Sequence, residues 1–231
     1  MWNGMKKAIT FSYDDGVTQD RRLVKIFDKY GLKATFNLNS GFLGTANSLV
    51  REGVTVAHCK PRACEVREIY KNHEIAAHTL THPSLPSLPV EEIVRQVEDD
   101  RLALSEIAGY EVVGMAYPGG GKNCDERTAE IIRKRTGIKY ARTVYSSHGF
   151  GIPENSYMLS PTVHHHGEWG EMIRLGEEFL RLETDEPKLF YIWGHSYEFD
   201  INDSWDAFEE FCRRIAGKSD IFYCTNREAL L

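Results

Sequence analysis

Apolar residues recur along this chain with two different periods, and the change of period predicts alternating helices and strands. Leu23, Ile26 and Phe27 follow the i, i+3, i+4 spacing that places residues on one face of a helix, and Tyr30 continues the stripe. The same kind of spacing predicts three later helices, within residues 91–108, 172–180 and 205–215.

Short apolar runs lie between the predicted helices and predict strands. They cover residues 8–11, 34–38, 74–77, 112–117, 140–144, 189–193 and 221–224. Because strands that alternate with helices are joined by crossover connections, they form a parallel sheet. About seven such units predict an α/β fold in which the sheet can close into a barrel.

Two segments interrupt this regular pattern. Residues 40–70 are interpreted as an insertion or a long active-site loop, and residues 146–166 as a second irregular segment rich in Gly, Pro, Ser and His. Neither segment resembles a linker, and the chain contains no internal repeat. Residues 1–231 are therefore expected to form a single catalytic domain.

The size and charge of the chain exclude several kinds of partner. A length of 231 residues suits one barrel, and a formal net charge of −6 without a basic tract argues against a nucleic-acid partner. No apolar segment approaches the roughly 18 residues of a membrane-spanning helix, so no membrane contact is predicted. The first residues carry no apolar leader, and five cysteines suit free thiols in a reducing compartment, so a cytoplasmic location is expected.

Two polar motifs follow apolar runs and contain the candidate chemistry. Asp14 and Asp15 stand where the first predicted strand gives way to a turn at Gly16. Alone, an Asp-Asp-Gly sequence is typical of a solvated turn. His78 and His82, however, follow another predicted strand at a spacing of four, which lets one element present both rings to one metal ion. One aspartate and two histidines leave coordination positions open, which is typical of catalytic metal sites.

Four motifs, in this order, resemble those of the polysaccharide deacetylase family of carbohydrate esterases. They are residues 12–16 (Ser-Tyr-Asp-Asp-Gly), 78–83 (His-Thr-Leu-Thr-His-Pro), 116–120 (Ala-Tyr-Pro-Gly-Gly) and 189–195 (Leu-Phe-Tyr-Ile-Trp-Gly-His). The resemblance implies a deformed (β/α) barrel of about seven parallel strands, with the active site at the carboxyl ends of the strands. It also implies removal of acetyl groups from an N- or O-acetylated saccharide, which is the expected partner.

The resemblance implies a set of metal ligands. Asp15, His78 and His82 would hold one divalent ion. Carboxylate and imidazole ligands suit Zn²⁺, the first choice, and also Co²⁺, Ni²⁺ or Mn²⁺. Such an ion lowers the pKa of a bound water and polarises an acyl carbonyl.

The resemblance also implies catalytic roles. Asp14 would take the proton of the attacking water, His195 would protonate the departing amine or alcohol, and the Gly119 N–H would stabilise the oxyanion. The family's arginine beside the base aspartate is replaced here by Ala116, and Arg142, near the end of the next predicted strand, is a candidate to replace it. The family's aspartate that orients the acid histidine has no clear match, and three acids are open candidates: Glu198, Asp200 and Asp203.

Several residues near the motifs are candidate substrate contacts. Tyr117, Pro118 and Trp193 lie at predicted strand ends, where aromatic rings can stack on sugar faces. Core packing is the alternative for both aromatic rings. His164 begins a run of three histidines, which is expected to form a loop near the site or a structural cluster.

Two other functions compete with deacetylation. The same scaffold can hydrolyse another linear or cyclic amide, but such enzymes commonly vary the metal ligands, whereas this chain keeps the aspartate and both histidines. The chain could instead be a catalytically inactive carbohydrate-binding protein. Loss of Asp14 would have indicated that function, and Asp14 is present. The sequence therefore favours a metal-dependent hydrolase.

Overall fold

The computed structural model describes residues 2–231, which contain ten strands and nine α-helices. The strands are β1 (Lys7–Asp14), β2 (Ala34–Leu38), β3 (Ser48–Arg51), β4 (Val54–Ala57), β5 (Glu74–Ala77), β6 (Gly114–Ala116), β7 (Tyr140–Arg142), β8 (Val163–His164), β9 (Lys188–Gly194) and β10 (Ile221–Tyr223). The α-helices are α1 (Asp20–Tyr30), α2 (Ala63–Ile69), α3 (Val90–Val94), α4 (Asp100–Ala108), α5 (Glu126–Arg135), α6 (Trp169–Arg181), α7 (Glu198–Ile201), α8 (Trp205–Ile215) and α9 (Asn226–Leu230). A π-helical turn (Arg95–Asp99) joins α3 to α4, and short 3₁₀ turns cover Trp2–Gly4, Ser40–Phe42 and Leu85–Ser87.

Eight parallel strands form one curled sheet around β1. Their order is β7-β6-β5-β2-β1-β9-β8, with β10 paired to the first half of β1. The two edges of the sheet are joined by the segment that precedes β8, because Leu159 bridges to Arg142 at the end of β7 before the chain pairs with β9. The predicted α/β fold with a deformed parallel barrel is therefore confirmed.

Alternate residues of β1 face the surrounding helices and the barrel interior, as the two-residue period of a strand requires. Ile9 and Phe11 belong to the main hydrophobic core. Thr10, Ser12 and Asp14 lie on the opposite face, where all three are buried and make side-chain hydrogen bonds. The interior of the barrel thus becomes a polar column that leads to Asp14.

The helices bury the faces that their apolar spacing predicted. α8 buries its predicted stripe and packs against α1 and α6. The predicted helix 91–108 is instead two α-helices separated by the π-helical turn, although Val97, Leu104 and Ala108 are buried as predicted. The π-helical turn was not predicted because Val97, its one apolar residue, is buried like the stripes of the helices on either side.

All predicted strands are present, and their ends differ from the prediction by at most three residues. Residues 40–70 are not one irregular loop, because they contain the antiparallel β3–β4 hairpin and helix α2. The hairpin forms a two-stranded sheet apart from the main sheet, as the alternative of an insertion predicts. The hairpin residues are mostly exposed, so they lack the alternation of buried and exposed positions that reveals a strand. Residues 146–166 are irregular as predicted, except for β8, which is too short to leave a pattern.

The cysteines are free thiols, as expected. Three of them, Cys124, Cys212 and Cys224, are buried, whereas Cys59 and Cys64 are partly or fully exposed. Among residues 2–231, no helix combines the length and the apolar character that a bilayer crossing requires.

Two glycines of α6 are expected to respond in opposite ways to alanine. A Cβ at Gly176 would lie 2.7 Å from the Phe211 ring of α8, whereas a Cβ at Gly170 would meet no atom within 4 Å. Overpacking costs roughly 1–3 kcal/mol, more than the ~1 kcal/mol that alanine contributes to a helix interior. Gly176→Ala should therefore lower the free energy of unfolding in urea, and Gly170→Ala should raise it or leave it unchanged. Equal effects of the two substitutions would contradict the proposed close packing of α6 on α8.

Candidate active site

The motif residues gather at one end of the barrel because each ends or follows a parallel strand. Asp14 is the last residue of β1, and Arg142 is the last residue of β7. His78 and His195 directly follow β5 and β9, and His164 ends β8. Because carboxyl ends of parallel strands meet at one face of a barrel, residues far apart in sequence share this site.

The two adjacent aspartates face different partners. The Asp14 side chain lies on the interior face of β1, where its Oδ1 accepts a hydrogen bond from Asn37 Nδ2 at 2.8 Å. Asp15 has a φ of 75°, in the left-handed region that residues other than glycine rarely adopt. At this turn its carboxylate faces the imidazoles of His78 and His82.

Asp15, His78 and His82 form a group that fits one metal ion. Asp15 Oδ1 lies 3.7 Å from His78 Nε2 and 3.6 Å from His82 Nε2. These separations are too long for hydrogen bonds but suit ligand atoms that each lie about 2.0–2.2 Å from a shared ion. His78 Nδ1–H donates to the Ala116 carbonyl at 2.8 Å, which leaves the lone pair on Nε2. A histidine held in this way by a carbonyl is the usual form of a metal ligand.

The protonation states of this group also suit a cation. Burial lowers the pKa of His78 to about 4 and lowers that of His82 as well, so both rings are neutral at neutral pH. Burial alone would raise the pKa of Asp15. The hydrogen bond from His58 and nearby positive charges outweigh burial and hold the pKa of Asp15 well below its ordinary value. The group therefore offers one negative charge and two neutral nitrogen donors.

Arg142 forms a buried ion pair with Asp14 in the space left by Ala116. Ala116 and Arg142 are register partners on β6 and β7, so their side chains leave the sheet on the same face. The Arg142 Nη2 contacts both carboxylate oxygens of Asp14, and its Nε donates to Ser12 Oγ at 3.1 Å. Burial raises the pKa of Asp14, but the Arg142 charge outweighs it, so the pKa lies below its ordinary value.

Glu198 is the acid that orients His195. The His195 Nδ1–H donates to Glu198 Oε1 at 3.1 Å, and the His195 backbone N–H donates to Oε2 at 2.8 Å. Asp200, another candidate from the sequence, instead accepts hydrogen bonds from Gln19 and Trp205. Burial lowers the pKa of His195, but the charge and hydrogen bond of Glu198 outweigh burial and raise that pKa to about 9. His195 can therefore hold a proton on Nε2 at neutral pH.

His164 also binds Glu198 but is unsuited to a metal ion. His164 Nδ1 accepts a hydrogen bond from the Gly167 N–H at 3.2 Å, which places the ring proton on Nε2. This Nε2–H donates to Glu198 Oε2 at 3.2 Å. His164, His195 and Glu198 lie as close together as metal ligands do, yet His164 lacks the free Nε2 lone pair that His78 has. The group is better described as a carboxylate with two histidine donors.

The other two histidines of the run pack around the site. His165 is buried and stacks on Phe199 with ring centroids 4.3 Å apart. Its ring occupies the space above Gly194, where a Cβ would lie 1.9 Å from His165 Nδ1. His166 Nε2 lies 2.8 Å from a carboxylate oxygen of Glu52, in the turn between β3 and β4. His165 Nε2 also lies 3.5 Å from Glu198 Oε2, so the first two histidines of the run lie beside this carboxylate.

The predicted stacking of sugars on Tyr117 and Trp193 is wrong. Tyr117 is completely buried, and its hydroxyl donates to the Tyr157 carbonyl at 2.9 Å. Trp193 is 7% exposed, and its ring packs against Arg142 and His164. Core packing, the alternative considered for both rings, is confirmed because the two side chains point into the protein from their strand ends.

The turn after β6 holds the two remaining predicted residues. Pro118 is buried, and its contact with substrate stays a prediction. Gly119 is exposed and has a φ of 82°, a backbone conformation that favours glycine. The role of its N–H in binding an oxyanion stays a prediction.

A cleft of about 380 Å³ opens beside Asp15 and His82, and the unpredicted β3–β4 hairpin forms one of its walls. Phe42 is the partly exposed aromatic residue of this cleft. His58 Nε2–H donates to Asp15 Oδ2 at 3.0 Å, and the Lys60 ammonium donates to the Asp15 carbonyl at 2.5 Å. Sequence reasoning missed His58 and Lys60 because no motif marks them and more than 40 residues separate them from their partner.

Comparisons with known proteins agree with this fold. A family model described as polysaccharide deacetylase matches residues 3–141. The deacetylase PplD of Streptococcus pyogenes, solved in complex with acetate, is 19% identical over 64% of this chain and 61% of that chain, with a TM-score of 0.54. The chain thus spans less than two thirds of PplD. No curated protein matches the chain.

Two further solved structures match nearly the whole chain. A mutant of the peptidoglycan deacetylase PdaC of Bacillus subtilis is 17% identical, with coverage of 97% of this chain and 90% of that chain and a TM-score of 0.56. A mutant of BA3943 of Bacillus anthracis, described as a CE4 family pseudoenzyme with restored enzymatic activity, is 17% identical, with coverage of 98% and 68% and a TM-score of 0.61. At these identities the likeness shows the fold alone.

Removal of the Arg142 charge is expected to raise the pKa of Asp14, and so to move the acidic limb of the pH–rate profile of any reaction that needs the ionised carboxylate. In Arg142→Gln, Asp14 stays buried without the cation that lowers its pKa, so that pKa rises and the carboxylate is protonated at higher pH. Activity at low pH should fall, and the acidic limb should shift to higher pH. The measurement is kcat/KM across about pH 4 to 9, with thermal unfolding as a check on folding. The control is Arg133→Gln, which removes an exposed arginine paired with Glu130. An unshifted acidic limb in folded Arg142→Gln would contradict the assignment of Arg142 as the cation that lowers the pKa of Asp14.

Proposed function

This chain belongs to the polysaccharide deacetylase family, and we propose that it removes acetyl groups from an N- or O-acetylated saccharide with the help of one divalent ion. One observation supports the proposal above all others. A group of three potential ligands, an ionised carboxylate and an oriented histidine meet at the carboxyl end of one barrel. The two histidine ligands are neutral, Asp14 is ionised, and His195 can carry a proton. Hydrolysis of an acyl group needs these protonation states.

Asp15, His78 and His82 would hold the ion. When bound, a divalent ion lowers the pKa of water and polarises an acyl carbonyl. One carboxylate and two imidazoles suit Zn²⁺, and the same ligands accept Co²⁺, Ni²⁺ or Mn²⁺. The hydrogen bonds from His58 to Asp15 and from His78 to the Ala116 carbonyl would keep the ligands oriented.

Asp14 would act as the general base. The buried Arg142 keeps the Asp14 carboxylate ionised across the neutral range, although burial alone would favour its protonated form. Asn37 and Arg142 both bind this carboxylate, so its orientation at the end of β1 is restrained before substrate arrives. In the reaction Asp14 would accept the proton of the attacking water.

His195 would act as the general acid. Glu198 binds its Nδ1–H, which leaves Nε2 to hold the proton that the departing nitrogen or oxygen needs. The Gly119 N–H would stabilise the negative charge that develops on the acyl oxygen. The acyl–nitrogen or acyl–oxygen bond then breaks, and the products are acetate and the free amine or hydroxyl of the saccharide.

Acetate release from a panel of N-acetylated and O-acetylated oligosaccharides tests this function. We expect release by wild-type protein, loss of release after chelation, and recovery when Zn²⁺, Co²⁺, Ni²⁺ or Mn²⁺ is restored.

Asp14→Asn should keep bound metal and lose activity by ~10²-fold or more, the usual range for a general base. Hydrolysis of other linear or cyclic amides, followed by chromatography of the products, without release of acetate from the panel would favour the competing amide hydrolase. Saccharide binding without turnover would favour an inactive carbohydrate-binding protein, and either result would contradict the proposal.

Elemental analysis of purified variants tests the ligand assignment. Wild-type protein should contain about one divalent ion per chain, and His78→Ala and His82→Ala should each lose it, because each ligand supplies a large share of the affinity. His195→Ala is the matched control, since this histidine binds Glu198 and should retain the ion while losing activity. Stoichiometric metal in a double His78→Ala and His82→Ala variant would refute the assignment.

A further inference from the structure

The loop that contains both histidine ligands has a strained backbone. Within residues 78–82, Thr79 has a φ of 68° and His82 has a φ of 56°. Residues other than glycine rarely adopt this left-handed conformation, and they persist in it only when surrounding contacts hold them. Inside the loop, the His82 N–H donates to Thr79 Oγ1 at 3.1 Å. This local bond cannot place the loop relative to Asp15, so other contacts must do so.

Gln96 supplies two of these contacts from the π-helical turn. Its backbone carbonyl accepts a hydrogen bond from the Leu80 N–H at 2.9 Å, and its Oε1 accepts one from the Thr81 N–H at 3.0 Å. Its Nε2 donates to Thr81 Oγ1 at 3.0 Å and to Glu92 at 3.1 Å, so the amide has one defined orientation. A π-helical turn departs from the i→i−4 bonding of an α-helix, which makes a carbonyl available to a partner outside the helix.

Asp100 and Asn39 hold the first half of the same loop. Asp100, at the start of α4, accepts hydrogen bonds from the His78 N–H at 3.0 Å and from the Ser40 N–H at 2.7 Å. Asn39 Nδ2 donates to the carbonyls of His78 and Thr79 at 2.6 and 2.9 Å. The second half of the loop depends on the glutamine of the π-helical turn, which is 3% exposed.

We propose that Gln96 is a positioning residue for the metal site, which holds residues 79–82 so that His82 faces Asp15 and His78. The inference rests on the proposed function, because it takes these three residues as metal ligands. Gln96 acts only through the loop, where it binds the backbone of two residues between the histidines. Loss of such outer support typically weakens metal binding by about 10–100-fold. A merely structural role would instead lower stability and leave the affinity for metal unchanged.

The test compares the Zn²⁺ affinity of wild-type protein and Gln96→Met, measured by competition with a chromophoric chelator. Methionine keeps the size of the side chain and removes the acceptor for the Thr81 N–H. We expect the Zn²⁺ affinity to fall by about 10-fold or more. Gln96→Glu combined with Glu92→Gln retains an oxygen acceptor for the Thr81 N–H, keeps a donor and acceptor between positions 92 and 96, and should recover most of the affinity. Thermal unfolding of the metal-free variants reports any change in stability separately.

Asn226→Leu is the matched control. Asn226 is a buried amide whose side chain binds Thr10 and Tyr191, so its loss should lower stability without changing Zn²⁺ affinity. Equal losses of affinity in Asn226→Leu and Gln96→Met would overturn the inference, because general destabilisation would then explain both.

Amide hydrogen exchange in metal-free wild-type protein gives a second measurement that needs no variant to fold. The Leu80 and Thr81 amides should be protected, and rapid exchange of both would overturn the inference. The two proposals are distinguishable. Wild-type protein that binds no Zn²⁺ would contradict the proposed function, whereas wild-type binding with unchanged affinity in Gln96→Met would overturn only the role of Gln96.

Discussion

The buried ion pair between Asp14 and Arg142 links the fold to its candidate chemistry. β1 is central in the sheet and β7 lies at one edge, so these side chains meet only because the sheet curls. Both side chains are almost completely buried, and removal of one partner from such a pair typically costs about 3–5 kcal/mol. Trp193 and Ser12 complete the surroundings of the guanidinium. The pair therefore spans the barrel interior beneath the site and keeps one carboxylate ionised within it.

The site shows how hydrogen-bond partners give different roles to the same kind of residue. Asp14 is bound by an arginine and an asparagine, whereas Asp15 faces imidazoles on the other side of a left-handed turn. His78 donates to a carbonyl and has a free Nε2, but His164 accepts from an amide and has a protonated Nε2. Neighbouring backbone groups thus separate a potential metal ligand from a hydrogen-bond donor.

Supports for the site come from parts of the chain that have no motif. The hairpin segment brings His58 and Lys60 to Asp15, and the interrupted helix brings Gln96 and Asp100 to the histidine loop. These contacts surround backbone conformations that the chain would not otherwise favour. Two departures from regular secondary structure lie beside the site. The left-handed turn at Asp15 directs its carboxylate toward the histidines, and the π-helical turn brings Gln96 to the histidine loop.

The sequence alone determined the alternating strands and helices, the parallel barrel and the strand ends at which the motifs lie. The spacing of apolar residues shows which residues of one helix or strand are buried together. Each motif follows a predicted parallel strand, so the motifs are expected at the same end of the sheet. Only the tertiary structure decided that Arg142 reaches Asp14, that Glu198 orients His195 and that Trp193 is packed inside. The Arg142–Asp14 contact joins residues 128 apart in the sequence, and it depends on register between neighbouring strands and on side-chain direction. Local patterns do not encode register or direction, because both are set by packing among residues that are distant in the chain.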